Sequence, residues 1–378
     1  MQKDFRNNNF DLIRIVTAVL VLINHSLAHL DLHTPGFYTV IQQFPRVPMF
    51  FIMSGYLLSA SFERNSDLKG YFTNRLFRIY PGLWACLILT VILFTVIGGV
   101  SFLKFETIPW FISQDAGFIW TPGFLKDFGY GSYNGSLWTI VVELQFYLVL
   151  PIIYFIGTFI SKKWIKEKKT ANLYFYTLFV LSFILAFTLK HFFNESDDIK
   201  TATEKSIRYS ILPHAYIFMT GILMQRWKIF KSNAIHGKGL YWAIGYLAFV
   251  YLVPDSITKN MVQMLLLGPC TIAIAYSIPG LATKFLKNRD LSYGVYMYHG
   301  MLLTILVELG YKGSYWYMLG IFVGTMILSW LSYVYIETPA MSLAKRRNKA
   351  RTATKDKNPD GPAPAREEVA APKEPVPA

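Results

Sequence analysis

Arg14 and His25 stand inside the first long apolar stretch of the sequence, Phe10 to about Leu30. A charged group at the centre of a membrane-spanning helix costs about 2.5–3.5 kcal/mol on insertion scales, and it turns toward the bundle interior. On a helix, the interval from Arg14 to His25 closes to within about 20° of one face and covers about 16 Å of axis. An imidazole there is a candidate general base. Glu143, followed by Gln145, occupies a later apolar stretch. Counted from its helix start, Glu143 is expected about 9 Å below one boundary of an apolar core roughly 30 Å thick; His25 is expected about 22 Å from the other. The depths agree. The sequence therefore predicts that Glu143 stands beside His25, fixes its tautomer and raises its basicity. The plainer alternatives are an Arg14 that reaches lipid phosphate, a His25 that donates to a carbonyl, and a Glu143 that joins Gln145 in helix packing.

Arg75 and Arg78 lie three residues apart, just before the third apolar stretch, and so share a helical face. Two guanidinium forks can grip a phosphate-bearing molecule, or they can be ordinary loop charge. Tyr293, Tyr296 and His299 fall on one face of a later stretch. Glu337 closes the last apolar stretch and is expected to pair with a nearby base such as Arg346. His25, His29 and His33 have helical spacing, but the latter two fall at or beyond the helix end, so no metal site is expected. Cys86 and Cys270 are isolated in apolar runs and build neither a disulfide framework nor a thiolate site. No Gly-rich phosphate loop and no Gly-x-Ser-x-Gly elbow is present.

These residues need a membrane scaffold. The chain has 378 residues, of which 53% are hydrophobic and 16% charged, against about 25% charged in soluble domains. Spanning helices, each about 20 apolar residues, are expected near 10–30, 44–62, 80–99, 137–160, 172–190, 207–226, 239–254, 260–279, 291–309 and 314–336. The second contains Pro45, Pro48 and a Ser54–Gly55 interruption. The first is expected to be a retained helix rather than a cleaved signal. The net charge of +14 does not point to nucleic acid, because the basic residues are spread over short loops. Alternate loops hold the clusters: Arg64 to Arg78, Lys162 to Lys169, Arg226 to Lys238, Lys284 to Arg289 and Lys345 to Arg351. The positive-inside rule then puts both termini in the cytoplasm. The longest outer loop, about 100–136, carries Trp110, Trp120, Gly131 and Gly135; it is expected to line a substrate mouth or to lie at the interface. Two domains are read: residues 1–344, and a tail of 345–378 that is basic, then Pro- and Ala-rich, and disordered. The fold class is an all-α polytopic membrane protein.

Six fragments in order resemble the acyltransferase family 3 membrane proteins. They are Phe10-Asp11-Leu12-Ile13-Arg14 with His25; Phe50 to Leu57; Arg75-Leu76-Phe77-Arg78-Ile79-Tyr80-Pro81; Ser136-Leu137-Trp138 with Glu143-Leu144-Gln145-Phe146-Tyr147; Leu291 to His299; and Ile336-Glu337-Thr338-Pro339. The resemblance implies ten core helices in the bacterial inner (plasma) membrane. It implies a cytoplasmic acyl-CoA donor, usually acetyl-CoA, and an acceptor hydroxyl on a surface or lipid-linked glycan such as O-antigen, capsule, exopolysaccharide or peptidoglycan. Many members carry an added esterase-like domain; only about 40 residues, mostly polar or small, follow the last helix here, so a standalone enzyme is expected. On this reading His25 and Glu143 are catalytic. Arg14, Arg75 and Arg78 bind the donor, and Ser54, Trp138, Tyr293 and His299 line the channel. No tightly bound cofactor is expected, and a homodimer is compatible. The rival reading is a secondary transporter or flippase, whose pathway would use the same buried Arg, His and Glu; repeated halves, common in transporters, are not found.

Overall fold

The computed structural model describes residue 5 and residues 7–115, 120–164, 168–193, 201–287 and 289–357, with side chains left out at 115, 161–171, 202 and 352–357. The described residues form helices and no strand: α1 (Phe10–His29), α2 (Gly36–Gln42), α3 (Arg46–Arg64), α4 (Leu68–Val96), α5 (Thr107–Asp115), α6 (Trp138–Trp164), α7 (Lys168–Phe192), α8 (Ala202–Arg208), α9 (Ala215–Arg226), α10 (Gly239–Leu252), α11 (Ile257–Ala275), α12 (Leu281–Leu286), α13 (Ser292–Glu308), α14 (Tyr315–Ser332) and α15 (Thr338–Lys357).

Each of the ten expected apolar segments falls on a helix. Six stretches, along α1, α4, α6, α7, α11 and α14–α15, are long and apolar enough to cross a membrane. The shorter or more polar α3, α9 and α13 are largely buried. A helix that is apolar on all sides belongs inside a bundle, and one wrapped by other helices needs no lipid-facing stripe. The bundle's outer surface is the reverse: Ile88 and Ile92 on α4, Ile152 and Phe155 on α6, Val180 and Ile184 on α7, and Val323 and Ile327 on α14 are all exposed. Such rows of large apolar side chains suit hydrocarbon, and the chain is a membrane protein.

Several boundaries differ from the sequence reading. α4 starts at Leu68, so Arg75 and Arg78 lie within a helix rather than before one. α3 runs unbroken through Ser54 and Gly55, because Pro48 falls in its first turn, where no helical hydrogen bond is lost. Gly55 has a packing role instead. A Cβ there would meet Phe218 O at 2.1 Å, and one at Gly221 would meet Ile52 O at 2.2 Å. The two glycines let α3 and α9 touch backbone to backbone.

The long loop before α6 does not stay at one end of the bundle. Gly129 N donates to Glu308 Oε2 (2.6 Å) at the far end of α13, Thr304 Oγ1 donates to Ser132 O (3.1 Å), and Asn134 Nδ2 donates to Met297 O (2.6 Å). Ser136 Oγ then donates to Tyr296 O (3.1 Å). From Glu308 to Tyr296 is about 18 Å of helix axis. Residues 129–136 therefore descend beside α13, and α6 begins in the middle of the bundle. Trp110 of α5 is fully buried under this loop, whereas Trp120 is exposed.

Between α14 and α15 lies a π-helical turn, Tyr333–Glu337. Its i to i+5 spacing lets buried Glu337 accept from Ser332 Oγ (2.9 Å), in place of the expected pairing with a base such as Arg346. The basic segment from 345 continues α15 and docks on α4 through Asn348 Nδ2 to Asn74 Oδ1 (2.9 Å) and an Arg351–Asp67 ion pair. The remainder of the tail, 358–378, lies outside the described residues, as do the side chains of the basic cluster at 162–169.

Gly55→Ala or Gly221→Ala is expected to destabilise the detergent-solubilised protein by at least about 1–3 kcal/mol, the usual cost of overpacking. A thermal-shift assay checks this, with Gly320→Ala, whose Cβ would meet nothing within 4 Å, expected to match the unsubstituted protein.

Candidate active site

A cavity of about 280 Å³ opens among α1, α3, α4, α6 and α13. Arg14, Ser54, Arg75, Arg78, Glu143 and Tyr293 all line it. Helical spacing explains the convergence. Thr139, Glu143 and Tyr147 form an i, i+4 stripe on α6, and Tyr293 and Tyr296 lie one turn apart on α13. All five contribute to the wall. Two further cavities adjoin on the same side, one sharing Phe5, Leu57 and Arg64, the other sharing Ser61 and Arg75.

Asp290, in the turn before α13, organises the arginines. Its Oδ2 pairs with Arg78 Nη2 and lies 3.5 Å from Arg14 Nη1. Its other oxygen accepts from Ser292 N (3.1 Å) and Ser292 Oγ (2.5 Å). Burial alone would raise its pKa, but Arg78, Arg14 and Ser292 outweigh burial and hold the carboxyl down at about 2. Arg14 also lies 3.5 Å from Asp11.

Arg75 is different. Its guanidinium lies over the rings of Tyr71 (5.7 Å) and Tyr147 (5.5 Å), and its Nε is shut off from solvent with no hydrogen-bond partner. Arginine stacks well on aromatic faces while its in-plane donors stay available. Glu143 Oε1 accepts from Tyr147 Oη at 2.5 Å, and Tyr293 Oη donates to Ile79 O at 2.9 Å.

His25 and His299 meet elsewhere. Their rings approach with Nδ1 of His25 3.1 Å from Nε2 of His299, and Nδ1 of His299 lies 3.0 Å from Val295 O. A carbonyl oxygen only accepts, so His299 carries its proton on Nδ1. Its Nε2 is then an acceptor, and with both rings neutral His25 donates from Nδ1. The free lone pair is left on Nε2 of His25. His299 is fully buried and His25 half-buried. Tyr296 stands between this pair and the cavity: it lines the cavity, accepts from Thr139 Oγ1 (2.7 Å), and its ring centroid is 5.9 Å from that of His299.

The expected pairing of His25 with Glu143 is therefore not formed. Because α6 starts level with Tyr296, Glu143 lies one turn deeper than Thr139, while His299 lies nearly one turn the other way. The offset is about 10 Å along the bundle axis, and it puts Glu143 among the arginines. Gln145 does pack as the plainer reading had it, accepting from Ile211 N (2.7 Å). Trp138, expected in the channel, sits instead in an aromatic cluster with Phe51, Tyr209 and His214 at 5.3–6.4 Å. Asp290, Tyr296 and Thr139 were not singled out as site residues from the sequence. Only Tyr296 carried a signal there, sharing the face of Tyr293 and His299.

A family model described as an acyltransferase domain matches residues 7–334. Nodulation protein 10 of Rhizobium leguminosarum bv. viciae is 28% identical over 360 residues, which cover 89% of this chain and 94% of that protein. An O-acetyl transferase of Shigella phage Sf6 is 26% identical over 348 residues, 88% of this chain and 95% of the phage protein. A peptidoglycan O-acetyltransferase of Listeria monocytogenes is 23% identical over 333 residues, 78% of this chain but 50% of that longer protein. No solved structure matches the chain significantly.

The Asp290 site predicts a pH dependence. A carboxyl whose folded pKa is depressed from about 4 to about 2 stabilises the fold fully above the unfolded value and loses that contribution as pH falls from about 4 to about 2, an effect on the order of 2 kcal/mol. Asp290→Asn is expected to lower the melting temperature at neutral pH, with the deficit against the unsubstituted protein shrinking across that acid window. A deficit that stays constant with pH would contradict the assignment.

Proposed function

The chain belongs to this acyltransferase family, and we propose that it moves an acetyl group from acetyl-CoA, gripped by the arginine cavity, to a hydroxyl of a cell-surface carbohydrate held at the histidine pair. The observation that carries the reading is the guanidinium groups of Arg14, Arg75 and Arg78, joined by that of Arg64, on one cavity, with the Nε of Arg75 buried and unmatched. A buried donor without a partner costs about 1–3 kcal/mol, and the phosphates of a CoA-type donor would satisfy it. The O-acetyl acceptor comes by likeness to the phage and Listeria relatives.

The cavity end is assigned to the cytoplasm. It is the end of the clustered loop charges, and acetyl-CoA is a cytosolic metabolite. On this reading the ten apolar helices all span, both termini are cytoplasmic, and the membrane is the bacterial plasma membrane. The phosphates stay on the arginines, and the pantetheine arm carries the thioester up past Ser54 and Tyr296. His25 Nε2, the nitrogen with the free lone pair, takes the proton of the sugar hydroxyl as its oxygen attacks the thioester carbon. The C–S bond breaks, and the same proton is passed to the departing thiolate, giving CoA–SH and the acetyl ester. His299 is a positioning residue, since its tautomer dictates which nitrogen of His25 is basic. Glu143 belongs with the donor cavity, where Tyr147 holds it.

Purified protein in lipid nanodiscs with radiolabelled acetyl-CoA and a surface-glycan acceptor tests the scheme. His25→Ala is expected to lose about 10²–10⁴-fold in turnover with its fold retained, and His299→Ala to lose turnover with an altered pH profile. Arg75→Gln is expected mainly to raise KM for acetyl-CoA. Full activity in His25→Ala would remove the mechanism.

A further inference from the structure

At the opposite end of the bundle from the arginine cavity, Arg46 opens α3. Its surroundings do not match its charge. Nη2 makes one long contact, 3.4 Å, to Tyr38 Oη, and the guanidinium carbon lies 5.9 Å from the centre of the same ring. Nε is buried with no partner. A guanidinium has five N–H donors, so most of Arg46's capacity is unspent. Among the described residues no carboxylate lies within ion-pair distance of it, and the acid at the end of α1, Asp31, is taken by Lys312 at 3.2 Å. Removing one partner of a buried charge is strongly destabilising, so an arginine left this way at a half-buried site is poised for a ligand.

The placement says which ligand. α2 and the start of α3 are stapled to α1 next to the candidate base: Gln42 Nε2 donates to Asn24 Oδ1 (3.0 Å), the residue before His25, and Tyr38 Oη donates to Leu20 O (3.1 Å). Arg46, held against Tyr38, therefore shares this flank of α1 with His25, within electrostatic reach of its ring. The charge also runs against topology, since Lys and Arg are favoured at the inner end. The donor's phosphates have their own arginines about half a bilayer away. What approaches His25 from this side is the acceptor.

We infer that Arg46 binds an oxyanion of the acceptor, a carboxylate of an acidic sugar or a sugar-linked phosphate, next to the hydroxyl that is acylated. This rests on the acceptor reaching the histidine pair as proposed above, and it adds the acceptor's chemical class. A guanidinium–oxyanion contact is a charge-assisted, bidentate hydrogen bond, so it both selects the sugar and fixes the distance of its hydroxyls from Nε2 of His25.

Binding rather than turnover tests this, so that failure here is separable from failure of the acetyl-transfer reading. Methyl β-glucoside, methyl β-glucuronide and glucose 1-phosphate are titrated against the full-length protein in nanodiscs by saturation-transfer NMR. One or both of the anionic sugars is expected to bind about tenfold or more tightly than the neutral one, as a hydrogen bond to a charged group implies. A preference for the glucuronide alone assigns a carboxylate, and one for glucose 1-phosphate alone a phosphate. In Arg46→Gln the preference is expected to vanish while neutral-sugar binding persists, and in Arg46→Lys to survive in part. Equal binding of all three sugars, or a charge preference that persists in Arg46→Gln, overturns the inference. Loss of acetyl transfer with the Arg46-dependent preference intact would instead count against the catalytic scheme alone.

Discussion

A guanidinium held inside an apolar bundle must be neutralised or hydrated, and in this protein one carboxylate serves two of them. Asp290 joins Arg14 of α1 to Arg78 of α4 from the turn that launches α13. Three of the five helices around the cavity are thereby fixed at one point, by a charge-assisted hydrogen bond to Arg78, the strong class, and an ion pair to Arg14. The same arrangement rations charge. Four guanidinium groups, of Arg14, Arg64, Arg75 and Arg78, line the cavity against the carboxylates of Glu143 on its wall and of Asp290 and Asp11 paired behind it, which leaves one positive charge over, and Arg75 rests on the aromatic faces of Tyr71 and Tyr147. A positive surplus of this kind favours an anionic ligand.

The second constraint is the loop that descends beside α13. By spending its polar side chains and amides on Glu308, Thr304, Met297 and Tyr296, it satisfies its backbone inside the bundle, the condition under which irregular chain is tolerated at membrane depth. Its consequence is a change of level. α6 starts beside Tyr296 rather than at the membrane boundary, and every residue on it is shifted inward. The carboxylate at 143 is delivered to the arginines, and the place beside His25 is filled by His299.

This shift explains what could and could not be read from the sequence. The helices were legible because apolar runs of sufficient length have few other fates, and the arginines and histidines stood out because lipid rejects them. Their mutual levels were not legible. The depth estimate for Glu143 assumed that a helix begins where its apolar run begins at a boundary, and nothing in residues 129–136 announces a descent into the bundle. Asp290 was invisible for a related reason: an acid in a short polar turn looks solvated until two arginines from distant segments converge on it. Trp138 was placed in the channel by its motif, but the face it occupies on α6 is turned from the stripe of Thr139, Glu143 and Tyr147.

Tyr296 stands between the arginine cavity and the histidine pair, and on the proposed mechanism that separation has chemical sense. The arginine cavity is cationic and polar, suited to a charged donor. The histidine pair must remain neutral for its tautomers to leave a lone pair on His25 Nε2, and three guanidinium groups in direct contact would not favour a base that has to become positively charged as it accepts a proton. Tyr296, seated between them and tied to Thr139, keeps the cationic wall at a distance from the imidazoles; on the proposed mechanism the thioester arm passes beside it. On the proposed mechanism, distance along the bundle does the work of insulation: phosphate recognition at Arg14 would lie about 16 Å, three turns of α1, from proton transfer at His25.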